Sequence, residues 1–439
     1  MSSVYRVQPV HRPLDAVVNV PGSKSIANRA LVCAALANGV STLGNVPQGD
    51  DTAAMLDCLP LLGAGVAVHD DDPSTISVHG TGGALRPGPM TLHTRLAGTT
   101  SRFVTALCAL GVGHYEIDGL PPLRSRPMGP LHDALVALGA GVVPAEAWGH
   151  LPVTIAGLAG SADRGDRRAD TGRAGVAIRG DISSQYITAL MLIAPYLPGG
   201  LRIEITTPLV SRPYLAITAA VMNTFGVDGV VIDESSVQVE AGSYRACTYD
   251  IEADASSASY PLAAAAICGG TVRVPGLGSD ALQGDAGFAD VLAAMGCAVS
   301  RDSDGTTVSR TGDLRGVSID MADLSDLVPS LAVVAPCATS ATEITGVGFI
   351  RAKESDRIGD LAAGLRTCGV VVTELDDGLR IEPGFGDCGA IDTHHDHRLA
   401  MAFGVLGLRL PDMRVHDPEV VSKSWPDFWT VIDEMAGPR

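Results

Sequence analysis

The sequence predicts an α/β protein of two domains, assembled from six copies of one strand, loop and helix unit. Three observations carry that expectation. Six apolar helical stretches each open on a run of small and hydroxyl residues; a helix that ends in glycine and runs into a valine-rich strand recurs in step with them; and 439 residues exceed what a single hydrophobic core organises.

The six openings read Pro21-Gly-Ser-Lys-Ser-Ile, Ala97-Gly-Thr-Thr-Ser-Arg, Asp181-Ile-Ser-Ser-Gln-Tyr, Asp254-Ala-Ser-Ser-Ala-Ser, Asp323-Leu-Ser-Asp-Leu-Val and Asp396-His-Arg-Leu-Ala-Met. From Ser25 through Thr100, Ser184, Ser257 and Asp326 to His397 the steps are 75, 84, 73, 69 and 71 residues. Ser, Thr and Asp at these places suit helix N-caps, because their side chains accept from the first free backbone N–H groups. The second landmark reads Leu62-Gly-Ala-Gly-Val, Leu138-Gly-Ala-Gly-Val, Phe225-Gly-Val-Asp-Gly-Val, Met295-Gly-Cys-Ala-Val and Cys368-Gly-Val-Val-Val. Glycine there fits a helix C-cap, since it takes the left-handed conformation without a Cβ penalty. The sixth copy, Val415 to Met435, stops at its helix, so its missing strands are expected from the N-terminal segment Tyr5 to Val20. Both chain ends would then share one domain.

Composition narrows the function. Hydrophobic residues make up 46% and aromatics 4%, so the cores are built from Ala, Val, Leu and Ile. No apolar run reaches the roughly 20 residues needed to span a membrane. The start, Met1-Ser-Ser-Val-Tyr-Arg-Val, has no apolar signal region, and cytoplasm is the expected location. Nine cysteines without a Cys-x-x-Cys pair point to buried thiols rather than a disulfide framework. A net charge of -18 argues against a nucleic-acid surface. The polar stretch 161–173 lengthens the third step and reads as an exposed loop extension.

An anionic ligand of so acidic a chain must be held by local cations. Helix starts offer unpaired N–H groups and partial positive charge. Beside them stand Lys24, Arg29, Arg102, Arg124, Arg126, Arg212, Lys353, Arg357, Arg398 and Lys423, a large share of only 31 basic residues. The cluster suits two small phosphorylated or carboxylated molecules. Chemistry concentrates at Arg351-Ala-Lys-Glu-Ser-Asp-Arg357, where Lys353 can bind an oxyanion and Glu354 can move a proton. Helical i,i+3 spacing would alternatively pair Glu354 with Arg357. Asp326, in the apolar Leu324-Ser-Asp-Leu-Val, is a candidate general base. His394-His-Asp-His397 is too tight a loop for a metal site, and no nucleotide-binding pattern is present, so neither metal nor cofactor is expected.

These segments, taken together, resemble the enolpyruvyl transferase family, in the branch that acts on shikimate 3-phosphate. The resemblance runs through Pro21 to Arg29, Leu96-Ala-Gly-Thr-Thr-Ser-Arg102, Arg126-Pro-Met-Gly129, Ser183-Ser-Gln185, Ser211-Arg-Pro-Tyr214, Asp254 to Tyr260, Arg351 to Arg357, Asp396-His-Arg398 and Lys423-Ser-Trp-Pro426. It implies a two-domain fold of six βαβαββ units, three per domain, in an inverted α/β barrel-like arrangement linked by a double crossover. Residues 1–20 with 253–439 would form one domain and 21–252 the other, with the active site in the cleft.

The resemblance also implies a reaction, in which the 5-hydroxyl of shikimate 3-phosphate adds to C2 of phosphoenolpyruvate and the tetrahedral intermediate expels phosphate. Lys24, Ser25, Arg29, Ser183, Ser184, Gln185, Ser211, Tyr214, Asp326 and Lys353 would bind shikimate 3-phosphate. Lys24, Gly98, Thr99, Arg126, Gln185, Arg357, Arg398 and Lys423 would meet phosphoenolpyruvate. Asp326 would take the hydroxyl proton, Glu354 would exchange the C3 proton, and Lys24 and His397 would assist. A monomer sensitive to glyphosate, with no cofactor, metal, nucleic acid or membrane partner, is the family expectation.

Many relatives carry Asn where this chain has Leu96 and Phe349, and by the resemblance the second change would remove a polar contact to shikimate 3-phosphate. The alternatives are a UDP-N-acetylglucosamine enolpyruvyl transferase and a non-catalytic anion-binding protein. The first usually has Lys-Asn where Lys24-Ser25 stands, and a cysteine in the loop Gly119 to Arg126, which holds none. The second would have no use for both Asp326 and Glu354.

Overall fold

The computed structural model describes residues 3–158 and 173–437. Residues 161–172 of the expected loop extension lie outside them, while Arg173 donates to Gln238 Oε1 at 3.0 Å. The chain divides into two compact units, Met1–Pro21 with Glu252–Arg439, and Gly22–Ile251.

Among the described residues twelve main helices follow in pairs. In the second unit they are α1 (Lys24–Leu36), α2 (Asp50–Leu61), α3 (Gly98–Cys108), α4 (Gly129–Leu138), α5 (Ser184–Ile193) and α6 (Pro213–Thr224). In the first they are α7 (Ala255–Cys268), α8 (Phe288–Ala294), α9 (Val328–Val334), α10 (Gly359–Thr367), α11 (His397–Gly407) and α12 (Phe428–Ala436). The first helix of each pair is apolar on nearly every side and almost wholly buried, which is what such a helix requires. Thus α1, α3 and α5 form the middle of one unit, and α7, α9 and α11 the middle of the other. Small residues such as Ala263 to Ala266 on α7 allow these helices to pack closely.

Among the described residues five sheets have four strands in one repeated order. The first strand runs parallel to the second, the second is antiparallel to the fourth, and the third closes antiparallel on the fourth. The glycines that end the second helices, Gly63, Gly139, Gly226, Gly296 and Gly369, all have left-handed φ between 71° and 111°. The sheet beginning at Val40–Gly44 takes its first strand from Thr248–Asp250, and the sheet of Gly270–Pro275 takes its own from Leu14–Val17. The sixth sheet has three strands, with Val4–Arg6 antiparallel to Arg414–His416.

Three local expectations need correction. Of the N-terminal segment, only Val4–Arg6 completes the sixth copy, because Leu14–Val17 supplies the first strand that the fourth copy lacks. The fifth opening does not start a helix at Asp323: a 3-10 turn, Ala322–Leu327, precedes α9, with Leu324 out of helical geometry and Pro329 in the first turn of α9 fixing its start. Cys368 and Cys388 form a disulfide that the cysteine pattern did not announce, since the return segment folds back on α10 and Gly386 N donates to Cys368 O at 2.9 Å. Buried Cys33, Cys58 and Cys108 remain free. Among the described residues no helix is long and apolar enough to cross a membrane.

Candidate active site

The polar residues at the openings of the buried helices gather into two sets, one in each unit. In the second unit Ser23 caps α1, accepting from Ile26 N, and Ser183 caps α5, accepting from Gln185 N at 3.3 Å. Lys24, the first residue of α1, pairs with Asp51 of α2 at 3.0 Å. Gln185 reaches Thr99 Oγ1 at 3.3 Å, so the starts of α3 and α5 touch. Gly98 opens α3 directly against the Arg126 guanidinium. Arg102 donates back to Gly98 O (2.9 Å) and to Pro127 O (3.0 Å), tying the Arg126 turn to α3. Ser211 is buried and holds a left-handed φ of 56°, which a non-glycine residue adopts at some cost.

Arg29 stands deeper than the rest. It is 2% exposed and donates to Thr218 Oγ1 (2.8 Å), Ser25 O (2.6 Å), Tyr214 O and Thr188 Oγ1. Its guanidinium also lies over the Phe103 and Tyr214 rings, at 5.6 and 5.8 Å. Burial lowers its pKa to about 10. The cation therefore positions Ser25 and Tyr214 from behind while lending its charge to the surface they line.

The first unit holds the denser chemistry. Asp326 is gripped by three cations: Lys353 at 2.5 Å, Arg398 at 2.7 Å and Arg357 at 3.2 Å. Arg357, 1% exposed, also pairs with Glu354 (2.8 Å) and with Asp396 through Nε (2.7 Å) and Nη2 (3.1 Å). Asp396 caps α11 through Arg398 N, and Ser355 Oγ donates to its second oxygen. His397 lies buried beside Asp396, Nδ1 to Oδ1 3.6 Å, and Lys423 is buried at the end of the 3-10 turn Pro418–Lys423. The Glu354–Arg357 pair forms, but across a turn: residues 353–358 are not helical, because the 3-10 turn Gly348–Ala352 ends at Lys353, where ψ is -136°, and α10 begins only at Gly359. Lys353 Nζ lies 5.6 Å from the centre of the Phe349 ring, an apolar face for the ammonium.

Electrostatics set the resting state. Burial pushes Asp326 upward, yet Arg398, Lys353 and Arg357 outweigh it and hold the carboxyl well below the ordinary range. Burial is also the main cause of the lowered Lys353 pKa, with Asp326 opposing it. Arg357 is buried at a cost, but Asp396, Glu354 and Asp326 raise its pKa above the ordinary guanidinium value. The set is thus nearly balanced in charge, and its carboxylate contacts can be exchanged for those of an anionic ligand.

Two carboxylates were missed from the sequence. Asp51 stands in the first turn of α2, where an acid is ordinary, and its pairing with Lys24 orients that ammonium. Asp285 belongs to no repeat opening and lies against the turn that carries Asp326 only through tertiary packing. Among the described residues no group of three or more His, Cys, Asp or Glu is arranged to hold a metal.

Comparison with known proteins agrees across the chain. The family described as EPSP synthase (3-phosphoshikimate 1-carboxyvinyltransferase) matches residues 9–432. The chain is 42% identical over 432 residues to a 3-phosphoshikimate 1-carboxyvinyltransferase of Nostoc sp., covering 98% of both chains. It is 41% identical to the protein of that name from Methanosphaerula palustris, covering 96% of this chain and 97% of the other. The solved EPSP synthase of Acinetobacter baumannii shares the fold, with a TM-score of 0.80 at 24% identity over 99% of this chain and 98% of that one.

Proposed function

We infer the chemistry of this chain from the premise that it belongs to the EPSP synthase family. It is an enzyme of the shikimate pathway to aromatic amino acids. It transfers the 1-carboxyvinyl group of phosphoenolpyruvate to the 5-hydroxyl of shikimate 3-phosphate and releases phosphate.

The assignment of residues to that reaction is our proposal. Ser25, Ser183, Ser184, Gln185, Ser211 and Tyr214, backed by Arg29, bind shikimate 3-phosphate, with Lys353 and Asp326 on its ring hydroxyls. Gly98, Thr99, Gln185, Arg126, Arg357, Arg398 and Lys423 receive phosphoenolpyruvate, and Lys24 serves both substrates. Asp326 takes the 5-hydroxyl proton as the oxygen attacks C2. Glu354 delivers a proton to C3 and removes one when the C2–O bond to phosphate breaks. His397 supports the shell from beside Asp396.

The observation that carries this proposal is the grip of Lys353, Arg357 and Arg398 on Asp326. By itself it makes Asp326 a weak base. A phosphate and a carboxylate arriving beside the same cations offset their field, so Asp326 gains basicity once phosphoenolpyruvate is bound. Preorganised cations of this kind also stabilise charge on the departing phosphate. Glyphosate, which bears a phosphonate and a carboxylate, competes for the same cations. The proposal extends to a monomer that works in the cytoplasm without a cofactor.

The test is phosphate release from purified protein given shikimate 3-phosphate and phosphoenolpyruvate without metal or nucleotide, beside a UDP-N-acetylglucosamine control. Release with shikimate 3-phosphate alone is expected. Release with the nucleotide sugar instead would overturn the acceptor.

A further inference from the structure

A second carboxylate stands behind Asp326 and takes no part in the chemistry above. Asp285 lies in a single 3-10 turn, Gly284–Gly287, and is 6% exposed. That turn packs on Ala322–Leu327, the turn carrying Asp326. Ser256 Oγ, in the first turn of α7, donates to Asp285 Oδ2. The position is fixed from both sides. Gln283 Oε1 accepts from Ala255 N at 3.0 Å, and Gln283 Nε2 donates to Ala253 O (2.7 Å) and Glu252 Oε1 (2.8 Å). These contacts hold the turn that carries Asp285 between the start of α7 and the turn that carries Asp326. The charged groups that act on Asp285 are Asp326 from its turn, Arg398 from α11 and Asp254 from the cap of α7.

We propose that Asp285 is a positioning residue for the reaction: with Ser256 holding it, its negative charge competes with Asp326 for Arg398 and so keeps Asp326 basic enough to take the substrate proton. The argument is electrostatic. Arg398 binds Asp326 through Nη2 (2.7 Å to Oδ2) and Nη1 (3.3 Å to the backbone O). A second carboxylate nearby weakens that hold, and like charge raises the proton affinity of its neighbour. Asp285 itself is pushed up to about 6, by burial first and then by Asp326, while Ser256 and Arg398 pull it down. When it takes a proton, Arg398 bears on Asp326 alone.

This inference rests on Asp326 being the base, and the experiment separates the two. Measure kcat and KM for both substrates from pH 5 to 8 for the intact enzyme and for Asp285→Asn, Asp285→Glu, Ser256→Ala and Asp326→Asn. The parent should lose turnover as pH falls through about 6. Asp285→Asn should sit at the low-pH level throughout, with kcat at pH 7.5 down on the order of 10-fold, no inflection near 6 and KM for phosphoenolpyruvate no higher. Asp285→Glu should restore the inflection. Ser256→Ala, which leaves Asp285 without its donor, should move the inflection to higher pH and keep the plateau. If Asp326→Asn is inactive while Asp285→Asn keeps the parental kcat and inflection, the role of Asp285 is wrong. A rise in KM together with lost thermal stability and an unmoved pH profile would equally reduce Asp285 to scaffolding. Normal turnover by Asp326→Asn would instead remove the base, and with it the ground for this inference.

Discussion

An alanine at Gly98 tests the proposed phosphoenolpyruvate contacts with one methyl group. A Cβ on Gly98 would stand 2.6 Å from Arg126 Nη1, and 3.0 Å from both Arg126 Cζ and Arg102 Nη1. Ordinary contact begins near 3.4 Å, so the nearest atom must retreat by about 0.8 Å. Arg102 is 3% exposed and anchored to Gly98 O, Ser101 Oγ and Pro127 O, so the movement falls on the half-buried Arg126. Losing one well-placed hydrogen bond to a charged group costs about 1.5–3 kcal/mol, or roughly 10- to 150-fold in affinity. The helix itself is not weakened, since alanine is the better helix former. We therefore expect Gly98→Ala to raise KM for phosphoenolpyruvate and the inhibition constant of glyphosate by that factor, while KM for shikimate 3-phosphate stays within about twofold. Steady-state phosphate release with each substrate varied, and with glyphosate as competitor, gives all three numbers. A variant with parental values for phosphoenolpyruvate and glyphosate would refute the assignment of Arg126.

Three further predictions follow from the same contacts. Glu354→Gln should keep substrate binding by calorimetry and lose on the order of 10²- to 10⁴-fold in kcat, whereas unimpaired turnover would remove Glu354 from the proton route. Asp396→Ala strips Arg357 of its two-point partner and α11 of its cap, so urea unfolding should register a loss of about 3–5 kcal/mol; a loss under about 1 kcal/mol would mean that Glu354 and Asp326 suffice for Arg357. His132 on α4 is fully buried, neither ring nitrogen has a hydrogen-bond partner among the described residues, and burial lowers its pKa from 6.5 to about 4. Between those values the unfolded chain binds the extra proton, so stability is full above pH 6.5 and falls by up to about 3 kcal/mol as pH drops toward 4. His132→Phe should flatten that part of the pH-stability curve, and an unchanged slope would show that other groups produce it.

The repeat was legible because it is written locally. Gly63, Gly139, Gly226, Gly296 and Gly369 sit where a left-handed residue is needed, and that need depends on a few neighbouring residues. Ser23, Ser183, Asp254 and Asp396 cap the helices they precede, again a short-range matter. The exchange of Leu14–Val17 and Thr248–Asp250 between distant copies was not legible, because strand pairing is decided by partners more than 200 residues away. The turn at Ala322–Leu327 hid for a different reason: the pattern of hydroxyl and apolar residues is the same for a 3-10 turn and the start of an α-helix.

The sequence by itself determined the α/β class, the count of six units and most of the residue types that the chemistry requires, since periodicity, capping and turn glycines act over short range. Tertiary structure alone decided which charges meet. It set three cations on Asp326, turned Arg29 into a buried support for Ser25 and Tyr214, paired Asp51 with Lys24, and brought Asp285 behind the proposed base. The physical reason is that Coulomb interactions depend on distance through space and on burial, neither of which a linear chain carries until it folds.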